Sequence, residues 1–177
     1  MEQGGYDAEW QVLNSKDFGV PQNRERCFII GHLRGRSTSK IFPIEGTDGK
    51  NSVSLNLFGC LNGRNSQRDR VYSGDGLAPT ISTKPGGNTE SKVAILFDTS
   101  YIGQDGTLYA MWHEKYQCYI AIRKLTPKEC FRLQGWTDDY FEKAEFVNSD
   151  RQLYKQAGNG VTVSVIEAIA KKMEEKT

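Results

Sequence analysis

The chain has 177 residues, of which 37% are hydrophobic and 25% charged, and its 23 Lys and Arg residues nearly balance 22 Asp and Glu residues. This composition is typical of a globular protein of about one domain rather than a membrane or collagen-like protein. No run of about 20 apolar residues occurs, so we expect no membrane-spanning helix. The first residues lack a basic stretch followed by an apolar one, so we expect no secretory signal and a cytoplasmic location.

The region 1–40 is predicted to form two strands separated by a turn. The strands cover residues 9–13 and 26–31, and the turn lies at Gly19-Val20-Pro21. The uninterrupted apolar run 27–30 is typical of a strand that is buried on both faces of a covered sheet. If the elements that cover it belong to another polypeptide, the strand should expose apolar surface, and the chain alone should self-associate or be marginally stable.

A polar cluster directly precedes the second strand. If Arg26 begins that strand, the alternating side chains of Gln22, Arg24 and Arg26 point to one side and can surround one pocket. Two guanidinium groups there suit a carbonyl oxygen, a carboxylate or a phosphate. The alternative is a salt-bridged strand edge that involves Glu25 and Asp17.

The region 41–122 is rich in Gly, Ser, Thr and Asn, and short apolar runs interrupt it at residues 93–97 and 118–122. This pattern predicts twisted antiparallel ribbons joined by long loops. Loop-rich segments of this kind often carry recognition.

The remaining region is predicted to be helical. Thr126 is a candidate N-cap, Pro127 takes the first helical position and Glu129 completes a capping box, while Gly135 ends this helix. Ser149 and Gln152 repeat this capping pattern, and we expect a second short helix after it that runs through residue 156. A last amphipathic helix is predicted from a stripe formed by Val165, Ile166, Ile169, Ala170 and Met173.

Three segments together resemble conserved motifs of the DNA cytosine-5 methyltransferases. Residues 18–26 (FGVPQNRER) resemble the eighth motif, residues 123–136 (RKLTPKECFRLQGW) the ninth and residues 154–161 (YKQAGNGV) the tenth. Between them, residues 70–81 followed by Gly86-Gly87 resemble the core of the target recognition domain. Taken alone, this last stretch could be an ordinary hairpin, and residues 159–160 a simple turn before a helix.

The resemblance implies an α/β fold, mixed α+β in isolation. Residues 1–40 would belong to a Rossmann-like, S-adenosylmethionine-dependent methyltransferase domain. Residues 41–148 would form a small, loop-rich, mostly antiparallel β target recognition domain that includes the ninth motif. Residues 149–177, with the tenth motif and the last helix, would return to the catalytic domain.

Several elements of the family are not found in this sequence. The nucleophile of the family is a cysteine that follows a proline, whereas the four cysteines here follow Arg26, Gly59, Gln117 and Glu129. The Phe-x-Gly-x-Gly loop of the cofactor site and the Glu-Asn-Val segment are also missing. We therefore expect this chain to be the C-terminal half of such an enzyme and to need an N-terminal half as its partner.

The wide spacing of the cysteines, with only two histidines, predicts no metal site.

The resemblance also assigns roles to individual residues. Arg26 would stabilise negative charge on the carbonyl oxygen of a flipped cytosine, Arg24 would support the pocket and the glutamate of the missing segment, and Gln22 would hold the neighbouring polar network. The S-adenosylmethionine site, incomplete in this chain, would include Asn159, Gly160 and Val161. Some members of the family carry serine at the position of Gly160.

Double-stranded DNA is the partner that the resemblance implies, and residues of the recognition region and the ninth motif are candidate contacts. The candidates are Arg70, Thr80, Lys84, Gly86, Gly87 and Arg123. Arg123 could contact a phosphate or form an ion pair within the chain. The expected activity is cytosine-5 methylation of DNA with base flipping, as in restriction-modification systems, and we expect no activity from the chain alone. The alternative is a non-catalytic DNA-binding remnant or interaction module.

Overall fold

A computed structural model describes residues 5–35, 39–46, 54–61, 66, 69–81, 91–97 and 110–176 of the chain. Within these ranges, short strands precede a group of helices. The strands are β1 (Tyr6–Asn14), β2 (Glu25–Leu33), β3 (Leu57–Cys60), β4 (Arg70–Ser73), β5 (Lys92–Phe97), β6 (Met111–His113) and β7 (Cys118–Lys124). The helices are α1 (Pro127–Arg132), α2 (Asp138–Glu145), α3 (Asp150–Asn159) and α4 (Val163–Glu174).

The two strands that the sequence predicts for this region are present, and they form an antiparallel pair. The register runs from Tyr6 opposite Leu33 to Asn14 opposite Glu25. A 3₁₀ helix over Ser15–Phe18 follows β1 directly. On one face of the pair, buried apolar residues of the 3₁₀ helix, the segment 41–44 and α4 form a core with Leu13, Phe28 and Ile30.

The other face of this strand pair is exposed. Trp10 lies opposite Ile29, and their exposed fractions are 68% and 57%, while the neighbouring Val12 is 52% exposed. The described residues therefore cover the apolar run 27–30 on one face only, rather than on both. Neighbouring exposed apolar side chains of this kind are typical of interaction surfaces.

The other five strands form one sheet in the order β3-β4-β5-β7-β6. Its pairs are antiparallel except β4 with β5, which are parallel. The prediction of a mostly antiparallel region is consistent with this arrangement, and the parallel pair is the difference. Val71, Ala94 and Ile120 form the buried centre of the sheet.

The first helix begins as the sequence predicts. The Thr126 hydroxyl accepts a hydrogen bond from the Glu129 amide at 3.2 Å, and the Glu129 carboxylate accepts one from the Thr126 amide at 2.7 Å, so the capping box is formed. The helix ends earlier than predicted, with Leu133 as its C-cap. Gly135, at φ +79°, then completes the turn that leads away from the helix.

The later helices differ from the prediction in their bounds and exposure. The helix α2 was not predicted, and α3 begins after Ser149 without a side-chain cap bond and continues to Asn159, past the predicted end. In α4, the buried residues are Val165 and Ile169. The rest of the predicted stripe, Ile166, Ala170 and Met173, is exposed.

The helices pack on two different cores. Cys130, Phe131, Phe141, Leu153 and Ala157 form a buried cluster that joins α1, α2 and α3. The helix α4 instead packs on the β1–β2 pair. The connection between α3 and α4 therefore passes from one core to the other. In the described part of the chain, no helix is long and apolar enough to cross a membrane.

Candidate functional site

The eighth-motif segment lies beside the recognition segment, 77–81. Gln22 and Ala78 form a parallel bridge. The Ala78 amide donates a hydrogen bond to the Pro21 carbonyl at 2.8 Å, and the Asn23 amide donates one to the Ala78 carbonyl at 2.9 Å. The Thr80 hydroxyl donates to the Asn23 carbonyl at 2.8 Å. The structure thus brings the candidate DNA-contacting residue Thr80 next to the candidate catalytic segment.

Arg24 joins the eighth motif to the tenth. Its side chain is buried, at 3% exposure, and Nη2 donates to the carbonyls of Gly158 at 2.8 Å and Gly160 at 2.7 Å. Burial, with a smaller effect of Arg26, lowers the pKa of the Arg24 guanidinium to about 10, so the group stays charged at neutral pH. Its Nε and Nη1 have no hydrogen-bond partner among the described residues.

Gln22 and Arg26 occupy opposite environments. Gln22 is completely buried, and neither atom of its amide has a partner in the described ranges. Arg26 is exposed, and its Nη1 donates to the Glu25 carbonyl at 2.6 Å. The three predicted side chains therefore do not line one common pocket in the described structure. The alternation fails because the regular strand begins only at Glu25, and the buried pair precedes it.

The predicted cofactor residues lie where α3 ends and α4 is about to begin. Asn159 is the last residue of α3, and Gly160 is its C-cap. The side chains of Asn159 and Val161 are exposed, and Gly160 is half-buried. The side chains of Asn159 and Val161 are therefore accessible from solvent at this connection.

Four polar residues that the sequence analysis did not single out as site residues hold this arrangement together. The Asn14 side-chain oxygen accepts from the Arg24 amide at 3.0 Å. The hydroxyls of Ser15 and Thr162 are 2.6 Å apart and hydrogen-bonded. Gln134 is completely buried, and its side-chain amide donates to the Ala157 carbonyl. The only sequence signal for Gln134 was its place inside the ninth motif.

Arg123 forms the ion pair that the sequence left as one of two alternatives. Its Nη1 and Nη2 donate to the two carboxylate oxygens of Glu129 at 2.8 and 2.6 Å. This pairing is the largest of the effects that lower the pKa of the Glu129 carboxyl to about 2. The same carboxylate completes the capping box. Glu129 therefore both orients Arg123 and stabilises the first turn of α1.

The remaining candidate DNA contacts are only partly described. Arg70 is a half-buried residue at the start of β4. Lys84, Gly86 and Gly87 lie outside the described residues.

The cysteines lie in varied environments. Burial is the main cause that raises the pKa of the Cys130 thiol to about 12, which leaves it protonated and unreactive at neutral pH. Cys27 is exposed, and Cys60 and Cys118 are half-buried. Over the described ranges, no three His, Cys, Asp or Glu residues are grouped so that they could hold a metal ion.

Comparison with known proteins identifies relatives over the whole chain. A family model described as C-5 cytosine-specific DNA methylase matches residues 1–175. The type II methyltransferase M.Bsp6I of Bacillus sp. (strain RFL6) is 30% identical over 187 residues, which cover 96% of this chain and 56% of that protein. The orphan methyltransferase M.SPBetaI of Bacillus phage SPbeta is 28% identical over 266 residues, which cover 96% of this chain and 59% of that protein.

Solved structures share the fold. The crystal structure of the S. pombe Dnmt2 methyltransferase matches with a TM-score of 0.62 and 16% identity, over 98% of this chain and 59% of that chain. The chain thus spans about half the length of the curated relatives it matches.

The substitution Glu129→Gln tests the ion pair while it keeps an acceptor for the helix cap. We expect a loss of about 1 kcal/mol in the free energy of unfolding at pH 7, since the pair is partly exposed. Because the pKa of Glu129 is lower in the folded than in the unfolded chain, its ionised carboxylate stabilises the fold at pH values above the unfolded pKa of about 4.3. This contribution is lost as the pH falls toward the folded pKa of about 2. Denaturant unfolding from pH 7 to 2.5 should therefore show the two proteins converging. A constant difference contradicts the assignment, and Glu174→Gln, at an exposed position, is the control.

Proposed function

The chain belongs to the family of C-5 cytosine-specific DNA methylases, and from this premise we propose that it is the C-terminal portion or the small subunit of a DNA cytosine-5 methyltransferase. In this role it recognises a DNA target, helps to hold the flipped cytosine and completes the S-adenosylmethionine site. An N-terminal half supplies the cysteine nucleophile.

The half-satisfied guanidinium of Arg24 is the observation that carries this proposal. One of its nitrogens holds the tenth-motif main chain, while Nε and Nη1 have no partner among the described residues. A buried cation is costly unless an acceptor or an opposite charge compensates it. A carboxylate from an N-terminal half, such as the glutamate of the Glu-Asn-Val segment, is the kind of acceptor that each of these donors requires.

Arg26 is suited to act on the base itself. As a nucleophile adds to carbon 6 of cytosine, negative charge develops around the carbonyl oxygen of the ring, and a fixed cationic donor there lowers the barrier. Arg26 lies two residues from the buried Arg24. It is the second residue of β2, and it is exposed. It can therefore reach a base that has been rotated out of the helix.

DNA contacts are proposed along the recognition segment. Main-chain hydrogen bonds of Ala78 and the side-chain hydroxyl of Thr80 hold this segment on the eighth motif. Lys84, Gly86 and Gly87, which follow it in the sequence, are proposed contacts. Arg70 and Thr80 complete this set. Arg123, oriented by Glu129, remains close enough to solvent to meet a phosphate, at 42% side-chain exposure. Such contacts position the duplex, whereas base contacts specify the target.

The residues at the α3–α4 connection fit part of an S-adenosylmethionine site. When bound, this cofactor supplies the methyl group that is transferred to carbon 5. Asn159, Gly160 and Val161 would bind and orient it, and Arg24 fixes their main chain through the carbonyls of Gly158 and Gly160. The other part of the site would come from the Phe-x-Gly-x-Gly loop of the N-terminal half.

The exposed face of β1 and β2 supports a covering partner. Trp10, Val12 and Ile29 form its centre, with Tyr6 and Leu33 at one end, 44% and 43% exposed. We propose that the N-terminal half covers this face and that copies of the chain associate through it when that half is not present.

The first experiment measures transfer of labelled methyl from S-adenosylmethionine to mixed-sequence DNA, by this chain alone and with an N-terminal half added as a separate polypeptide. We expect transfer by the mixture only, because the nucleophile and the Gly-rich loop lie in the added half. Transfer by the chain alone contradicts the proposal. DNA binding by the mixture without any transfer favours a non-catalytic DNA-binding remnant.

The substitution Arg26→Ala in the reconstituted enzyme tests the donor role. We expect a loss of about 100-fold in the rate of methyl transfer, the effect of removing one preorganised donor, with DNA affinity changed less than twofold. Arg34→Ala is the matched control, since Arg34 lies beyond the far end of β2 and pairs with Asp7. Unchanged transfer by the Arg26 variant overturns the assignment.

The double substitution Trp10→Lys, Ile29→Lys tests the proposed partner surface. Two charges on this face should keep the chain alone monomeric in light scattering at high concentration and should prevent the N-terminal half from restoring activity. Ile122→Lys, at a 45% exposed position of the other sheet, is the control. If the unsubstituted chain is already a stable monomer, self-association is excluded. If the double variant is still reconstituted, the surface is not the interface.

A further inference from the structure

Gln134 contacts the α3–α4 connection on both of its sides. It follows α1, and its side chain is completely buried. The side-chain amide donates to the carbonyl of Ala157, within α3, and the main-chain carbonyl accepts from the amide of Val163 at 2.9 Å, where α4 begins. One residue of the ninth motif therefore holds the main chain before and after the segment 158–162.

The side chain of Gln134 also lies directly against Gly160. A Cβ atom at Gly160 would be 2.8 Å from the Gln134 Oε1 and 3.2 Å from the Gln156 carbonyl. The backbone angles of Gly160, φ −62° and ψ 163°, are open to any residue. A side chain at position 160 would therefore require the Gln134 side chain or the Gln156 carbonyl to shift, although the backbone angles allow it.

The other supports of this segment come from the opposite side. Arg24 holds the carbonyls of Gly158 and Gly160, and Ser15 holds the hydroxyl of Thr162. These residues belong to the β1–β2 region, whereas Gln134 is attached to the core that α1 shares with α3. The segment is thus held between the two cores, and loosening either support should change its position.

We propose that Gln134 is a positioning residue for the cofactor contacts of Asn159–Val161. This inference rests on the proposed function of that segment. The Gln134 amide fixes the end of α3 relative to the start of α4, so the exposed side chains of Asn159 and Val161 are presented in one arrangement. Through α1, Gln134 also connects the ninth motif with the cofactor site.

The substitution Gln134→Met keeps the volume of the side chain and removes the hydrogen-bond donor. In the reconstituted enzyme we expect the KM for S-adenosylmethionine to rise about tenfold, as the loss of one buried hydrogen bond typically produces. Turnover at saturating cofactor and the affinity for DNA should change less than twofold, since the substitution alters neither Arg26 nor the recognition segment. An unchanged KM with measurable transfer overturns the inference.

The control substitution Phe141→Leu separates positioning from stability. Phe141 is 2% exposed and packs edge-on against Phe131 in the core shared by α1 and α3. Its replacement should lower the free energy of unfolding, and it removes none of the side-chain hydrogen bonds that hold the α3–α4 connection. We expect its KM for S-adenosylmethionine to equal that of the unsubstituted enzyme, whereas a rise equal to that of the Met variant assigns the effect to stability and overturns the inference.

Amide hydrogen exchange in the 177-residue chain provides a readout that needs neither cofactor nor partner. The amides of Gly160 and Val163 are bonded to the carbonyls of Gln156 and Gln134. In the Met variant we expect both amides to exchange about tenfold faster. In the Leu variant we expect their exchange rates to change only as much as those of the other core amides. Equal changes in the two variants overturn the inference. If the reconstituted enzyme transfers no methyl group, the proposed function fails, and this comparison still decides whether Gln134 positions the segment.

Discussion

A buried guanidinium joins the two ends of the chain. Arg24 is 3% exposed and donates to carbonyls that lie 134 and 136 residues further along the sequence. A buried charge is tolerated only with hydrogen-bonding partners. If the start of β2 or the α3–α4 connection moved away, the Arg24 guanidinium would become exposed to solvent or lose its hydrogen bonds. This interaction fixes the two cores of the molecule relative to each other. It also places the proposed base pocket beside the proposed cofactor segment.

Main-chain hydrogen bonds attach the recognition segment to the same point. The Ala78 amide donates to the Pro21 carbonyl and the Asn23 amide donates to the Ala78 carbonyl, while the Thr80 hydroxyl adds a single side-chain bond to the Asn23 carbonyl. Bonds between main-chain groups place few demands on side-chain identity. The side chains at this junction can therefore vary in sequence while the main-chain bonds keep the segment 77–81 beside the eighth motif.

Local sequence patterns predicted the elements whose stabilising contacts are themselves local. The capping box of α1 lies within four residues, and the strands β1 and β2 follow from their apolar runs. The extension of α3 past its predicted end was not predictable in this way, since distant side chains of Gln134 and Arg24 satisfy the carbonyls of Ala157 and Gly158 at its C-terminal end. The helix α2 has few apolar residues and is stabilised by the burial of Phe141 among α1 and α3.

The sequence by itself determined the family, because three motifs occur in a fixed order with their characteristic residues, and it determined where each motif begins. Only the tertiary structure decided which polar side chains are buried. Arg24 and Arg26 are the same residue type two positions apart, yet one is enclosed and the other is exposed. The difference arises because the α3–α4 connection covers Arg24, and that connection comes from the other end of the chain. Gln134 gained its place in the site for the same reason, since burial depends on what packs from elsewhere in the sequence.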